Sequence, residues 1–250
     1  MKDMAAELVA RLNVDTAFTI PIFGGIQIAE SVVISWVVMA VLVLLALFLT
    51  SGMKVWNPGK RQIIAETAVK WLDGFTQDML GPDAKEYSEY ISTVLLFIGL
   101  SNIIGLFGMK PPTKDMNVTI ALALMSIVLI EAAGIKKKGG KGWLKSFTQP
   151  IAIVTPINIL EIFIRPLSLC MRLFGNVLGS FVIMELIEMI VPVALPLVFS
   201  MYFDIFDGFI QAYVFVFLTS LFIAEAAEPL MPTPKKEKKK KKAAKAAAEN

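Results

Sequence analysis

Two arginines stand inside a long apolar segment of the chain, and their spacing places them side by side. Arg165 and Arg172 lie within residues 147–190, and a separation of seven residues brings two side chains to within roughly 20° on an α-helix. Glu161 and Asn176 fall on the same face. A central arginine costs at least ~2.5–3.5 kcal/mol on membrane-insertion scales. Each arginine therefore needs a partner or a function.

The two arginines call for different interpretations. Arg165 lies nearer the start of the segment, four residues after Glu161, and this spacing predicts an ion pair or a side chain that snorkels to the interface. Arg172 lies deeper and has no acid within one helical turn. A guanidinium stays charged in proteins, so Arg172 can act as a fixed charge but not as a proton carrier.

A second polar stripe follows in the last apolar segment. Asp204, Asp207 and Gln211 are spaced i, i+3 and i+7, and Glu225 lies within about 40° of Gln211 on a helix. Ionised carboxylates are costly to bury without partners, so these acids indicate a water-filled passage.

Three more acids lie in the apolar segments or at their ends. Glu185 lies toward the outer end of its segment, and its side chain points away from the Arg172 face. Glu188, like Glu228, fits a passage or simple exposure at a helix end equally well. For Glu131, near the end of the third run, we expect snorkelling.

Five apolar runs must position these residues, and each is long enough to cross a bilayer, for which about 20 residues suffice. The runs are residues 31–49, 91–107, 118–135, 147–190 and 193–227. Between the first two, residues 57–89 repeat apolar side chains at helical spacing, which predicts an amphipathic helix on the membrane surface. A small soluble helical insert is the alternative.

The fourth run is too long for an upright span. Its 44 residues would make about 66 Å of helix, against about 30 Å of hydrocarbon. We expect the helix either to break near Pro156 or Pro166, or to cross the membrane at a strong tilt. Pro192 and Pro196 mark a turn before the fifth run. The fold class is therefore an all-α polytopic membrane protein whose last two helices, within 147–228, form a long, strongly tilted hairpin.

The distribution of Lys and Arg predicts the topology. The connections 50–89 and 136–146 carry five each, and the tail after residue 234 carries eight. The opposite side carries four. Five spans with an extracytoplasmic region 1–30, a helical hairpin over 90–135 and a disordered cytoplasmic tail over 229–250 satisfy this count.

Composition excludes several classes of function. The chain has no His and a single Cys, so a Ser-His-Asp triad, a His-ligated metal and an internal disulfide are impossible. Outside the tail, 16 basic and 19 acidic residues leave no electrostatic footprint for nucleic acid. We expect no cofactor and no metal site. The N-terminus lacks the apolar core of a signal peptide, so we expect no cleavage.

The run from Arg165 to Asn176, with the sequence RPLSLCMRLFGN, resembles the signature of subunit a of F-type ATP synthases. The segment QAYVF that begins at Gln211 also resembles that family, as do residues 102–106 and 115–119. The likeness extends from about residue 57 to residue 228. It does not cover the N-terminal region or the Lys-rich tail.

This resemblance implies the stator subunit of a bacterial ATP synthase, with two aqueous half-channels beside a rotating c-subunit ring. Arg172 matches the essential arginine, and Asn176 and Gln211 match a nearby asparagine and a glutamine on the last helix. Glu161 takes the place of an acid before the basic-Pro pair. The implied partners are the c ring, peripheral-stalk b subunits, the F1 sector indirectly and membrane lipid. The chain alone would bind no nucleotide and be no enzyme.

The sequence departs from the family pattern in the outer half-channel. The family often places an acid or His nine residues after the arginine, where this chain has Phe181, and a His where it has Asp204. Glu185 and Asp204 are the candidates to replace them. The predicted ion pathway comprises Glu161, Asn176, Glu185, Asp204, Asp207 and Gln211.

Two other functions remain open at this point. A self-contained channel or secondary carrier would also explain charges within the membrane, although the sequence lacks the inverted repeat of many carriers. A membrane scaffold without transport is the third interpretation. If the chain is a stator subunit, its sequence leaves both H⁺ and Na⁺ as coupling ions, because ligands on the ring determine which ion binds.

Overall fold

The computed structural model describes residues 16–20, 26–56, 58–148, 152–190 and 194–228. Five stretches within them are helical, long and apolar enough to cross a membrane, which confirms the all-α polytopic fold. The helices are α1 (Glu30–Thr50), α2 (Lys60–Leu80), α3 (Ser88–Ile103), α4 (Met116–Lys138), α5 (Gly140–Ser146), α6 (Thr155–Ile190), α7 (Ala194–Ser200) and α8 (Gly208–Ala227). The Lys-rich tail lies outside the described residues.

A short antiparallel hairpin precedes α1 and is an addition to the predicted fold. Its strands are β1 (Thr16–Ile20) and β2 (Ile26–Ala29), and β2 runs directly into α1. The Ile-Gln-Ile-Ala alternation of β2 is a strand pattern, but it is only four residues long.

The α2 helix is the predicted amphipathic element and is fixed to the start of α3. Ser88 Oγ donates to Asp73 Oδ1 at 2.5 Å, and Gln77 Nε2 donates to Asp73 Oδ2 at 2.6 Å. Ile64 and Trp71 remain exposed, at 64% and 67%. Outward apolar side chains are what a helix resting on a bilayer requires.

The core lies among α3, α4, α6 and α8. The α4 helix packs against both α6 and α8, and α3 packs against α8. The largest fully buried side chains of this core include Ile91, Ile98, Ile130, Leu169, Leu173 and Phe215. Small hydroxyl residues such as Ser101, Thr119 and Ser126 are buried beside them, as is common where membrane helices approach closely.

Asp115 ties α1 to the beginning of α4. One carboxylate oxygen accepts from the backbone N–H of Asn117 at 2.9 Å, which caps α4. The other accepts from Ser31 Oγ of α1 at 2.5 Å. The connection between α3 and α4 is thereby held against the first membrane helix.

The α6 helix corrects the predicted start of the fourth run. It begins at Thr155, beside Pro156, rather than at Phe147, which directly follows α5. It then continues through Pro166 to Ile190, so a break at Pro166 does not occur. Its 36 residues extend over about 54 Å, still far more than the hydrocarbon thickness. This length is compatible with the expected crossing in which the helix is strongly tilted from the membrane normal.

The fifth run contains a π-helical turn that the sequence did not predict. Met201–Asp207 is π-helical and joins α7 to α8. Asn102 of α3 packs where the turn ends, and its Nδ2 donates to the Gly208 carbonyl at 3.0 Å. A Cβ on Gly208 would lie 2.9 Å from the Asn102 Cβ, so this close approach requires glycine.

Candidate functional site

A cavity of about 540 Å³, with four carboxylates in its lining, opens at the end of the bundle that carries the α3–α4 connection. It lies between the second half of α6, the π-helical turn and the end of α3. Four of the predicted pathway residues line it: Glu185, Asp204, Asp207 and Gln211. We call this space the first cavity.

The π-helical turn supplies two carboxylates to the first cavity, and a serine contacts each. Ser200 Oγ donates to Asp204 Oδ2 at 2.5 Å. Ser180 Oγ, on α6, lies 3.3 Å from Asp207 Oδ2 and within hydrogen-bonding reach. Neither serine was singled out from the sequence, because an isolated serine in an apolar helix carries no distinguishing pattern.

Gln211 closes the deep end of the first cavity. Its side chain is buried, and its Oε1 accepts a hydrogen bond from Asn176 Nδ2 of α6. Its Nε2 is buried with no hydrogen-bond partner among the described residues. Two amides of the predicted pathway are thus brought together across the hairpin, and one N–H donor group of Gln211 is left buried and unpaired among the described residues.

Two further side chains of α6, Glu188 and Phe181, line the first cavity. Glu188 lines the first cavity, as Glu185 does, and it is also exposed near the end of α6, so both interpretations of it remain. Phe181 also lines the cavity, and the buried Lys114 places its ammonium 3.7 Å from the ring centroid. A cation over an aromatic face therefore stands where the resemblance leads one to expect an acid or His.

A second cavity of about 220 Å³ lies at the opposite end of the bundle, between α4, α5, α6 and α8. Arg165 Nη2 lies 3.0 Å from Glu161 Oε1 and 2.9 Å from Glu225 Oε1. The predicted pair of Arg165 with Glu161 is confirmed. The second partner, Glu225, was not predicted for it. Glu161 is thereby separated from the other predicted pathway residues.

Glu131 also faces the second cavity and has a defined partner. Trp143 Nε1 of α5 donates to Glu131 Oε2 at 2.7 Å. The snorkelling expected of Glu131 stays a prediction, and this hydrogen bond gives the carboxylate a partner at that end of the bundle. The α5 helix, which the sequence analysis did not separate from its neighbours, supplies this donor.

Arg172 lies between the two cavities along α6. No residue from 166 to 176 of α6, or from 212 to 224 of α8, lines either cavity. Buried side chains fill the space between them: Leu169, Leu173, Phe215 and Val216. The two linings are twelve positions apart on α6, from Arg165 to Val177, or about 18 Å of helix.

The Arg172 side chain is on the outward face of α6 rather than in either cavity. It is exposed and has no ion pair or hydrogen bond within the described part of the chain. Exposed apolar side chains, among them Leu167 and Met171, surround it. A Cβ at Gly175 or Gly179 would meet nothing within 4 Å. Arg172 thus presents a positive charge on a face of α6 that also carries two glycines with open space beside them.

Comparisons with known proteins agree on one family. The family described as ATP synthase A chain matches residues 32–224. ATP synthase subunit a of Moorella thermoacetica is 33% identical over 202 residues, covering 80% of this chain and 92% of that protein. The subunit a 2 of a Bradyrhizobium species is 34% identical over 208 residues, covering 81% and 91%. The sodium ion specific subunit a of Propionigenium modestum is 32% identical over 215 residues, covering 80% and 74%.

Proposed function

Since this chain belongs to the family of ATP synthase A chains, we propose that it is the stator subunit that couples ion translocation to rotation of a c-subunit ring. The first cavity is the outer half-channel and the second the inner one. The single observation that carries this proposal is that two cavities lined by charged side chains enter from opposite ends and stop short of each other, with an exposed arginine between them.

Arg172 is the fixed charge that separates the half-channels. At about 4 Å and an effective dielectric of ~20, it attracts a carboxylate on the ring by ~4 kcal/mol. That is roughly a thousandfold preference for the ionised acid. A ring acid reaching Arg172 therefore gives up its ion, and the same positive charge blocks a direct leak between the cavities.

The path through the chain follows from the cavity linings. An ion enters the first cavity past Glu185, meets Asp204 and Asp207, and reaches the Asn176–Gln211 pair beside the ring. After nearly a full turn of the ring it leaves through the second cavity, past Glu161. Each charge that crosses releases ~2.3 kcal/mol per 100 mV of membrane potential.

The remaining assignments follow from this role. The c ring faces Arg172, peripheral-stalk b subunits and lipid cover other apolar faces, and the F1 sector is reached indirectly. The chain binds no nucleotide itself. It resides in the bacterial inner membrane with its N-terminus outside and its C-terminus in the cytoplasm. A self-contained channel is less well supported, because it would need one continuous passage through the described residues.

The test is Arg172→Ala in inverted membrane vesicles. We expect ATP synthesis driven by an ion gradient to be abolished while the complex assembles in normal amounts. Arg61→Ala is the matched control, because Arg61 is outside the hairpin, over the ring of Phe48 at 4.8 Å. Near-normal synthesis by the Arg172 variant would refute the proposal.

A further inference from the structure

Gly105 lies directly against the Asp204 carboxylate in the first cavity. A Cβ at residue 105 would be 2.7 Å from Asp204 Oδ1, 3.0 Å from its Cγ and 3.3 Å from its Oδ2. Gly105 is not among the glycines with positive φ, whereas Gly108 is, at +74°. The backbone of residue 105 therefore does not require glycine, but the space beside it does.

The Asp204 carboxylate has no simple way to avoid such a Cβ. Its Oδ2 is held by Ser200 Oγ at 2.5 Å. Rotation of the carboxylate plane only exchanges its two oxygens, and the contact with Cγ remains. Relief requires a new side-chain rotamer, which breaks the bond to Ser200 and moves the charge.

The backbones cannot easily separate instead. Asn102, three residues before Gly105, donates to the Gly208 carbonyl at 3.0 Å. It also accepts from Thr113 Oγ1 at 2.9 Å and is buried. This contact fixes the end of α3 against the start of α8, one residue after the π-helical turn.

We propose that Gly105 is a positioning residue for ion translocation: its missing side chain leaves the space in which the π-helical turn and Ser200 hold the Asp204 carboxylate on the cavity wall. This inference rests on the proposed function of the first cavity as the outer half-channel. It assigns a role to the short 3₁₀ helix Ile104–Phe107 that follows α3 and carries no charge of its own.

The first experiment compares Gly105→Ala with Gly99→Ala in the assembled complex. Gly99 is buried on α3, and a Cβ there meets nothing within 4 Å. In inverted vesicles we expect ATP-driven ion pumping to fall by roughly tenfold for Gly105→Ala, since small misplacements of a reacting group are costly. Gly99→Ala should pump normally, and both variants should assemble in normal amounts.

The pH profile of pumping separates positioning from a general packing defect. It should move in Gly105→Ala and stay unchanged in Gly99→Ala. The other titratable groups on the cavity wall are the same in both variants: Lys110, Glu185, Glu188 and Asp207. An unmoved profile, or normal pumping by Gly105→Ala, overturns the inference.

A double variant tests whether the effect passes through Asp204. Asp204→Ala removes the three atoms nearest to the new Cβ, so adding Gly105→Ala should lower pumping no further. An additional loss would overturn the inference. Normal pumping by Asp204→Ala alone would remove Asp204 from the ion path and this inference with it. The Arg172→Ala result would then still decide the stator function independently.

Discussion

Arg165 of α6 pairs with Glu161 of the same helix and with Glu225 of α8, and its side chain is only 13% exposed. It also lies over the ring of Phe222, at 4.9 Å. Glu161 and Glu225 are about half exposed, so each pair alone contributes ~0.2–1 kcal/mol. Removing the arginine loses both pairs and the ring contact, and leaves two like charges facing each other.

We therefore predict that Arg165→Ala lowers the stability of the purified complex more than Glu161→Gln or Glu225→Gln. Thermal unfolding of this subunit within the complex measures the difference. Glu89→Gln is the control, since Glu89 is exposed on α3 with no ion pair within the described chain. Equal midpoints for Arg165→Ala and the control would show that the cluster contributes nothing.

At this scale the sequence predicts contacts only within one helix. The pair of Arg165 with Glu161 follows from i, i+4 spacing. Glu225 lies 60 residues from Arg165, and Gln211 lies 35 from Asn176. Those contacts depend on how α6 and α8 pack, and only the resemblance to a known signature suggested that Asn176 and Gln211 belong together.

At the scale of elements, the junction of α2 and α3 depends on an ionised acid. Hydrogen bonds from Ser88, and next from Gln77, hold the pKa of Asp73 below its ordinary value of 3.8. A lowered folded pKa stabilises the protein above the unfolded value. That stabilisation is lost as the pH falls through the folded value.

Asp73→Asn tests this junction. We predict that the wild-type chain is more stable than the variant at pH 7, and that the gap closes as the pH falls below about 3.8. Thermal unfolding between pH 7 and pH 3 provides the measurement. Asp78→Asn is the control on the same helix. A gap independent of pH would mean that ionisation of Asp73 does not hold the two helices together.

The elements were predictable to different degrees. Hydropathy located all five spans, because burial in lipid demands long apolar runs, and apolar side chains at helical spacing located α2. The π-helical turn could not be predicted, because seven residues are too few for its hydrogen-bonding pattern to produce a recognisable periodicity in the sequence. Pro166 suggested a break that did not form, whereas the start of α6 at Thr155 agrees with the break expected near Pro156.

For the whole molecule, the charge distribution predicts which ends face the cytoplasm. Val55, between α1 and α2, is 94% exposed, and Phe107, between α3 and α4, is 75% exposed. We predict that a membrane-impermeant thiol reagent labels Phe107→Cys in intact cells. It should reach Val55→Cys only in inverted vesicles. The native Cys170 is buried and provides a low background. The reverse labelling pattern would invert the topology.

The two cavities are a property of the whole molecule, and they could not be predicted from the sequence. Their acids were identifiable as residues too polar for lipid. Their division into two separate spaces arises from the packing of Leu169, Leu173 and Phe215, which no spacing rule encodes.

That apolar barrier also shapes the electric field. If both cavities conduct, the membrane voltage drops over the roughly 18 Å between their linings rather than over about 30 Å of hydrocarbon. The local field at the barrier is then more than one and a half times that in plain lipid, and Arg172 stands within it. The geometry thus concentrates the available electrical force at the place where rotor and stator meet.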